Sequence, residues 1–180
     1  MKIKNGVNLH IIKETKFKTI QFLVRFRTKM SRQSVAKRVI ISNLWETSNA
    51  VLTTNQQFQR KLSEMYGASF ATGVSKKGDN HFLNIGMSVV NPKYVESDTV
   101  TEAVELLHQA LFMPLIDEIG FDEDTFAREK KNLLHYLAST REDKSYVAST
   151  RLSELFFEDK KLSTPSISTV ELMEHEKRQS

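Results

Sequence analysis

Residues 20–26 limit most sharply what this chain can fold into. Ile20, Phe22, Val24 and Phe26 alternate with Gln21, Arg25 and Arg27, and only Leu23 breaks the pattern. A period of two puts the apolar side chains on one face of a β-strand and the charges on the other. Such a strand needs neighbouring strands for its backbone and a second layer to cover its apolar face. The same period returns later. Phe70, Thr72 and Val74 alternate, Lys76-Lys77-Gly78-Asp79-Asn80 supplies turn residues, and Leu83, Ile85, Met87 and Val89 alternate on the return, before Asn91-Pro92 stops the strand. Residues 70–90 therefore read as a hairpin. Val7–Ile11 reads as a further strand, with polar Lys13–Lys18 as a hairpin connection to the strand at 20–26.

Between and after the hairpins the period changes to three and four. Ala36, Ile40, Leu44, Thr47 and Val51 make one helical stripe, with Ser34 as its expected N-cap. Phe58, Leu62 and Met65 make another, ended by Gly67, because glycine accepts the left-handed conformation common just past a helix. Val100, Val104, Leu107 and Leu111 form a third stripe, closed by Pro114. Asp122-Glu123-Asp124 opens a fourth helix, where negative charge suits the positive end of the helix dipole; Phe126, Leu133, Leu134 and Leu137 give it an apolar face. Val147, Leu152, Leu155 and Phe156 mark a fifth helix over residues 145–157, and a short polar one is expected over 170–178. The order β-β-α-α-β-β-α-α-α-α implies an α+β fold in two layers, a largely antiparallel sheet with helices packed on one face. No repeat or composition shift divides the chain, so residues 1–180 are expected to form a single unit.

The charge pattern is lopsided. Residues 1–90 carry fifteen Lys and Arg against four Asp and Glu; residues 91–180 carry eleven against eighteen. The simplest reading is attraction between the halves of one fold, or solvated faces. A nucleic-acid module would place exposed aromatics on the same face as Arg25, Arg27, Lys29 and Arg32. Phe22 and Phe26 alternate with the arginines instead, so nucleic acid is not the expected partner. No apolar run reaches the roughly 20 residues of a membrane span. The first residues have no apolar leader segment, so a cytoplasmic location is expected.

Chemistry-bearing motifs are sparse. There is no Gly-rich phosphate loop and no Gly-x-Ser-x-Gly elbow. With no cysteine, a metal would need His, Asp or Glu, and no two of His10, His81, His108, His135 and His175 lie within four residues of each other. His10 and His81 read as strand residues with satisfied or solvated rings. Asp117-Glu118 and Asp122-Glu123-Asp124 lack the alternating oxygen spacing of a calcium loop.

Three stretches carry a family resemblance: Asn43-Leu44-Trp45-Glu46-Thr47, Leu62-Ser63-Glu64-Met65-Tyr66-Gly67-Ala68-Ser69-Phe70, and Arg128-Glu129-Lys130-Lys131-Asn132-Leu133-Leu134-His135-Tyr136-Leu137. Together with the order of elements they resemble the N-terminal half-domain of the pitrilysin/insulinase family of zinc metallopeptidases. In active members a helix carries His-x-x-Glu-His; the histidines bind zinc and the glutamate acts as general base. A glutamate on a later helix completes the ligand set. The resemblance places Asn43 and Thr47 in the two histidine slots, Tyr136 in the distal glutamate slot beside His135, and leaves Glu46 as the one retained residue. Amide and hydroxyl are poor zinc ligands, offering neither a basic nitrogen nor an anionic oxygen. Asn43 and Thr47 share a helix side with Ile40 and Leu44, so the old site is expected to be packed. The chain is thus similar to the bacterial insulinase-like branch that lacks the zinc motif. The resemblance implies no peptidase activity, no cofactor, and a role in binding peptide or a motif-bearing insulinase-like homologue, as in a heterodimer. It also implies an incomplete half-domain whose sheet lacks its last strand. Two other readings stand beside it. One is a divergent zinc metallopeptidase using Glu46, His135 and a further ligand; the other is a basic nucleic-acid-binding module.

Overall fold

The computed structural model describes residues 1–178. Its centre is a three-stranded antiparallel sheet in the order β3 (Thr19–Lys29), β5 (Asn80–Val90), β4 (Ser69–Lys77). The register runs without a bulge from Thr19↔Val90 to Lys29↔Asn80 and from Ser69↔Ser88 to Lys77↔Asn80. Gly78 sits in the β4–β5 turn at φ +57°, a conformation a side chain would strain. β5 is buried at every second residue. Leu83, Ile85, Met87 and Val89 are at most 6% exposed and face the helices. On the other face Gln21 bonds Ser88 at 2.8 Å and Arg25 bonds Asn84 at 2.7 Å while lying over the Phe82 ring. The chain is α+β with helices on one face of the main sheet.

Two apolar clusters fill the space above the sheet. The first joins Ile85, Met87 and Val89 to Phe58, Leu62 and Met65 near α2 (Asn55–Glu64) and to Ala103, Leu106, Leu107 and Ala110 of α3 (Thr99–Phe112). The second joins Ala36, Val39, Ile40 and Leu44 of α1 (Val35–Trp45) to Phe126, Leu133 and Leu137 of α4 (Glu123–Ser139) and to Met173 of α7 (Val170–Glu174), with Val74 packed against it. α2 starts with a capping box in which Thr54 and Gln57 satisfy each other's backbone N–H groups. It ends at Glu64, and Tyr66 (φ +58°) and Gly67 (φ +70°) follow in the left-handed conformation that the sequence anticipates at the glycine. Asp98, Asp122 and Asp143 each cap the helix that follows them.

Several expectations fail for identifiable reasons. Val7–Asn8 (β2) does not pair with β3; it joins Lys2–Lys4 (β1) in a separate two-stranded ribbon around Gly6, and His10 lies outside any strand. The short local turn closes that ribbon at lower entropic cost than a longer hairpin would. Ser34 does not cap α1 with its side chain; its Oγ accepts from Arg38 Nη2 at 2.7 Å. The buried stripe of α3 runs through Ala103, Leu106, Leu107 and Ala110, leaving Val104 53% exposed. Small alanines let the helix sit close to β5, and that decides which face goes down. The expected helix at 145–157 forms as α5 (Lys144–Phe156), followed by the short α6 (Lys160–Ser163). None of α5's residues is buried, and Leu152, Leu155 and Phe156 are 66–75% exposed. Amphipathic spacing makes a helix but cannot supply the surface that would cover it.

Buried and exposed apolar residues should differ in sensitivity. Ile85→Ala, in the first cluster, should cost about 3 kcal/mol in urea-unfolding free energy. Leu155→Ser on α5 should change it by less than about 0.5 kcal/mol.

Candidate functional site

The end of α1 sets the geometry of the candidate site. Thr47, Ser48 and Asn49 follow Glu46, and all three are residues whose side chains compete for backbone partners. Thr47 Oγ1 donates back to the Asn43 carbonyl at 2.8 Å. Asn49 Oδ1 accepts from the backbone N–H groups of Val51 and Leu52 at 2.9 and 2.8 Å. The last turn tightens, with Glu46 N donating to Asn43 O and Thr47 N to Leu44 O. The helix therefore stops at Trp45 instead of running through the stripe to Val51, and Glu46 is its C-cap.

That ending aims Glu46 at the neighbouring strand. Glu46 Oε2 accepts the Thr72 backbone N–H at 2.8 Å, and Thr72 Oγ1 donates to the Ser42 carbonyl at 2.6 Å. Thr72 thus fastens β4 to the C-terminal end of α1. Its N–H points away from β5, and by the alternation of an antiparallel ladder so do the backbone groups of Phe70, Val74 and Lys76. Among the described residues β4 has a strand partner on one side only.

An open cleft of about 430 Å3 lies between α1, β4 and α4. Asn43, Thr72, Gly73, Val74, Asn132 and Tyr136 contribute to its walls, and Ile167 closes one side. Two of the three positions that the resemblance assigns to ligands, Asn43 and Tyr136, thus meet at one cleft although 93 positions apart in sequence. Thr47 does not join them. It is 4% exposed and its hydroxyl is spent on the helix end. The packed site expected from sequence is therefore only partly what the chain builds, because Asn43 opens onto the cleft. His135 is exposed on α4 and is not among the cleft residues. Zinc chemistry does not fit this donor set. One carboxylate already holds a backbone N–H, and the remaining groups are an amide, a phenol and a committed hydroxyl. Among the described residues no three His, Cys, Asp or Glu side chains come together.

Sequence reading missed three features around this cleft. Glu129 is a buried carboxylate on α4, held by Arg128 Nε at 3.0 Å. Thr72 gave no signal because its role depends on where α1 ends. The third is a crossing of the chain at residues 162–168, gripped from the β4–β5 hairpin. Lys76 Nζ donates to the carbonyls of Leu162 and Thr164 at 2.8 and 2.9 Å, and His81 Nε2 donates to the Ser166 carbonyl at 2.9 Å. Because an arginine can only donate, Arg38 Nη1 at 3.4 Å fixes His81 Nδ1 as the acceptor, so the ring is neutral. His81 is fully buried. Burial holds its imidazole below the usual 6.5, Arg38 and Lys76 add to that, and the Ser166 carbonyl opposes it.

Compared with known proteins, no family model matches the chain. Over 149 residues, 82% of this chain, it is 25% identical to the probable inactive metalloprotease YmfF of Bacillus subtilis (strain 168), covering 35% of that protein. A crystal structure of a conserved protein from Enterococcus faecalis V583 superposes on 97% of the chain with a TM-score of 0.94 and 41% identity, and the match covers 42% of that protein. The periplasmic protease PqqL of Escherichia coli matches 93% of the chain with a TM-score of 0.53 at 13% identity, over 17% of its own length; it shares the fold alone. The chain spans less than half the length of these relatives. It has the fold of an insulinase-like half-domain and is similar in sequence to a probable inactive metalloprotease.

Two outcomes test the site's energetics. Glu46→Ala removes a charge-assisted bond to a strand N–H and should cost about 1–2 kcal/mol of stability, whereas Glu46→Gln should retain part of it, as read by thermal or urea unfolding. The second concerns pH. The unfolded chain takes up a proton on His81 that the folded chain refuses, so the stability this neutral ring provides is full above the ordinary value of 6.5 and is lost as pH falls below it. Urea midpoints should fall from pH 7 to pH 5, and His81→Gln should flatten that decline.

Proposed function

We propose that this chain is a non-catalytic, insulinase-like element that holds an extended peptide along the outward edge of β4, while hydrolysis, where it occurs, belongs to a companion chain bearing an intact His-x-x-Glu-His. The observation that carries this reading is the Glu46–Thr72 bond. A carboxylate oxygen already sits 2.8 Å from an outward strand N–H, where the carbonyl of an added strand would lie. The backbone groups of Val74 continue that edge, and the cleft beside it offers Asn43 and Tyr136 to the side chains of a bound segment. An unpaired strand edge next to a cleft recognises main chain first and side chains second.

The homology to an inactive metalloprotease supports the absence of chemistry in this chain, and the donor set supports it independently. The site would then act by positioning. Glu46 acts as an internal competitor, vacating Thr72 N–H when peptide arrives. Among the described residues no feature gives comparable support to a nucleic-acid role: Arg25, Arg27 and Lys29 lie on β3, on the far edge of the sheet from this cleft.

Fluorescence anisotropy with labelled, unstructured ten-residue peptides tests the reading. Glu46→Ala should tighten binding by emptying the Thr72 N–H. Thr72→Pro removes that donor at an edge position where proline is tolerated, and should weaken binding about tenfold or more. Stoichiometric zinc by elemental analysis, lost in Glu46→Ala and accompanied by peptide cleavage, would overturn it in favour of a divergent peptidase.

A further inference from the structure

A second cavity lies behind α5, between that helix, the C-terminal end of α4 and the turn leading into α7. Its volume is about 240 Å3, and it shares no lining residue with the β4 cleft. Leu137, Val147 and Val170 supply apolar wall. Two observations mark it as more than a packing gap. Ser168, in its wall, is 1% exposed and its Oγ has no hydrogen-bond partner. The same residue has φ +77°, in the left-handed region where a β-carbon is strained. A strained residue holding an orphaned hydroxyl against a cavity is an arrangement found where a ligand completes the bonding. Ordered water is a poor alternative occupant. The space would hold several molecules, but the apolar walls leave most of them without the two to four polar partners each needs.

The chemistry of the lining narrows the ligand. Arg151 is already paired with Glu154 at 2.8 Å. Arg141, also in the wall, makes no ion pair among the described residues. A free guanidinium beside apolar wall suits a carboxylate carried on a short apolar body. The volume is below the roughly 300–1,000 Å3 of sites for drug-sized molecules, so the ligand is about one residue in size. α5 buries none of its own residues, so it can yield to admit such a group. We propose that this cavity binds an apolar residue bearing a free carboxylate, its body against Leu137, Val147 and Val170 and its polar end held by Ser168 Oγ and the Arg141 guanidinium. A peptide's C-terminal residue and a free short-chain acid share that chemistry.

NMR titration of the chain with three probes tests this: acetyl-Gly-Gly-Leu as the free acid, the same peptide as its carboxamide, and 4-methylpentanoate. Saturable shifts with the free-acid peptide support the peptide terminus as source; saturable shifts with 4-methylpentanoate alone support a free acid. In either case the bound acid should lose about tenfold or more in affinity with Arg141→Gln, an exposed substitution that leaves the fold intact. The carboxamide should bind more weakly than the peptide acid by the same factor. Val147→Trp should fill the cavity and abolish binding. Ser168→Gly should raise the melting temperature by relieving the backbone while weakening the ligand, a pairing of signs that a purely structural serine would not give. Absence of saturable shifts with either acid at its solubility limit, equal binding of amide and acid, or unchanged affinity in Ser168→Gly would overturn the proposal.

Discussion

The apolar face of β5 is the constraint on which the rest of this structure depends. Leu83, Ile85, Met87 and Val89 lie on the central strand, so their backbone is paired on both sides and their side chains must face a second layer. α3 and the region of α2 close over three of them, while α1 packs against β4 and β5 and carries α4 and α7 with it. Each of these contacts removes apolar surface from water at about 25 cal/mol per Å2, and α1 and α2, of 11 and 10 residues, are too short to be stable alone. Position in the fold thus passes outward from one strand. The cleft inherits its rigidity from that centre, since two of its walls, α1 and β4, are fixed by it.

The carboxylate of Glu46 is spent on a strand anchor. The sequence resemblance would put Glu46 inside a helical turn, yet here the helix has ended at Trp45. The Thr47-Ser48-Asn49 run removes the last helical turn, and the carboxylate swings to the Thr72 N–H. A donor set of amide, phenol and hydroxyl cannot gather a divalent cation, but it can offer hydrogen bonds to a peptide.

Legibility from sequence followed the strength of local pattern. The β4–β5 hairpin, the left-handed Gly67 just past α2 and the start of α4 after Asp122 were all readable, because turn chemistry and capping act within four or five residues. The first ribbon was misread because alternation over Val7–Ile11 does not say which strand will pair with it. The face of α3 was misread at Val104, and the exposure of α5, a helix the sequence did mark, was not legible, because a helical stripe shows amphipathicity without showing which neighbour arrives, or whether one arrives at all. Asn43, Glu46 and Tyr136 were named from sequence by resemblance. Thr72, Asn132, Ile167 and Ser168 were not, since each matters through a partner distant along the chain.

By itself the sequence determined the class of fold and the poverty of the metal-ligand set. Period-two and period-three-to-four patterns, together with the absence of cysteine and of paired histidines, are properties of neighbours along the chain. Only the tertiary structure decided that Asn43 and Tyr136 share an open cleft, that Glu46 is bound to a strand edge, and that Ser168 holds an unpaired hydroxyl over a cavity. Those facts depend on where α1 stops and where the 162–168 crossing is gripped by Lys76 and His81. Such contacts link residues as much as 88 positions apart, and no local periodicity encodes a distance of that kind.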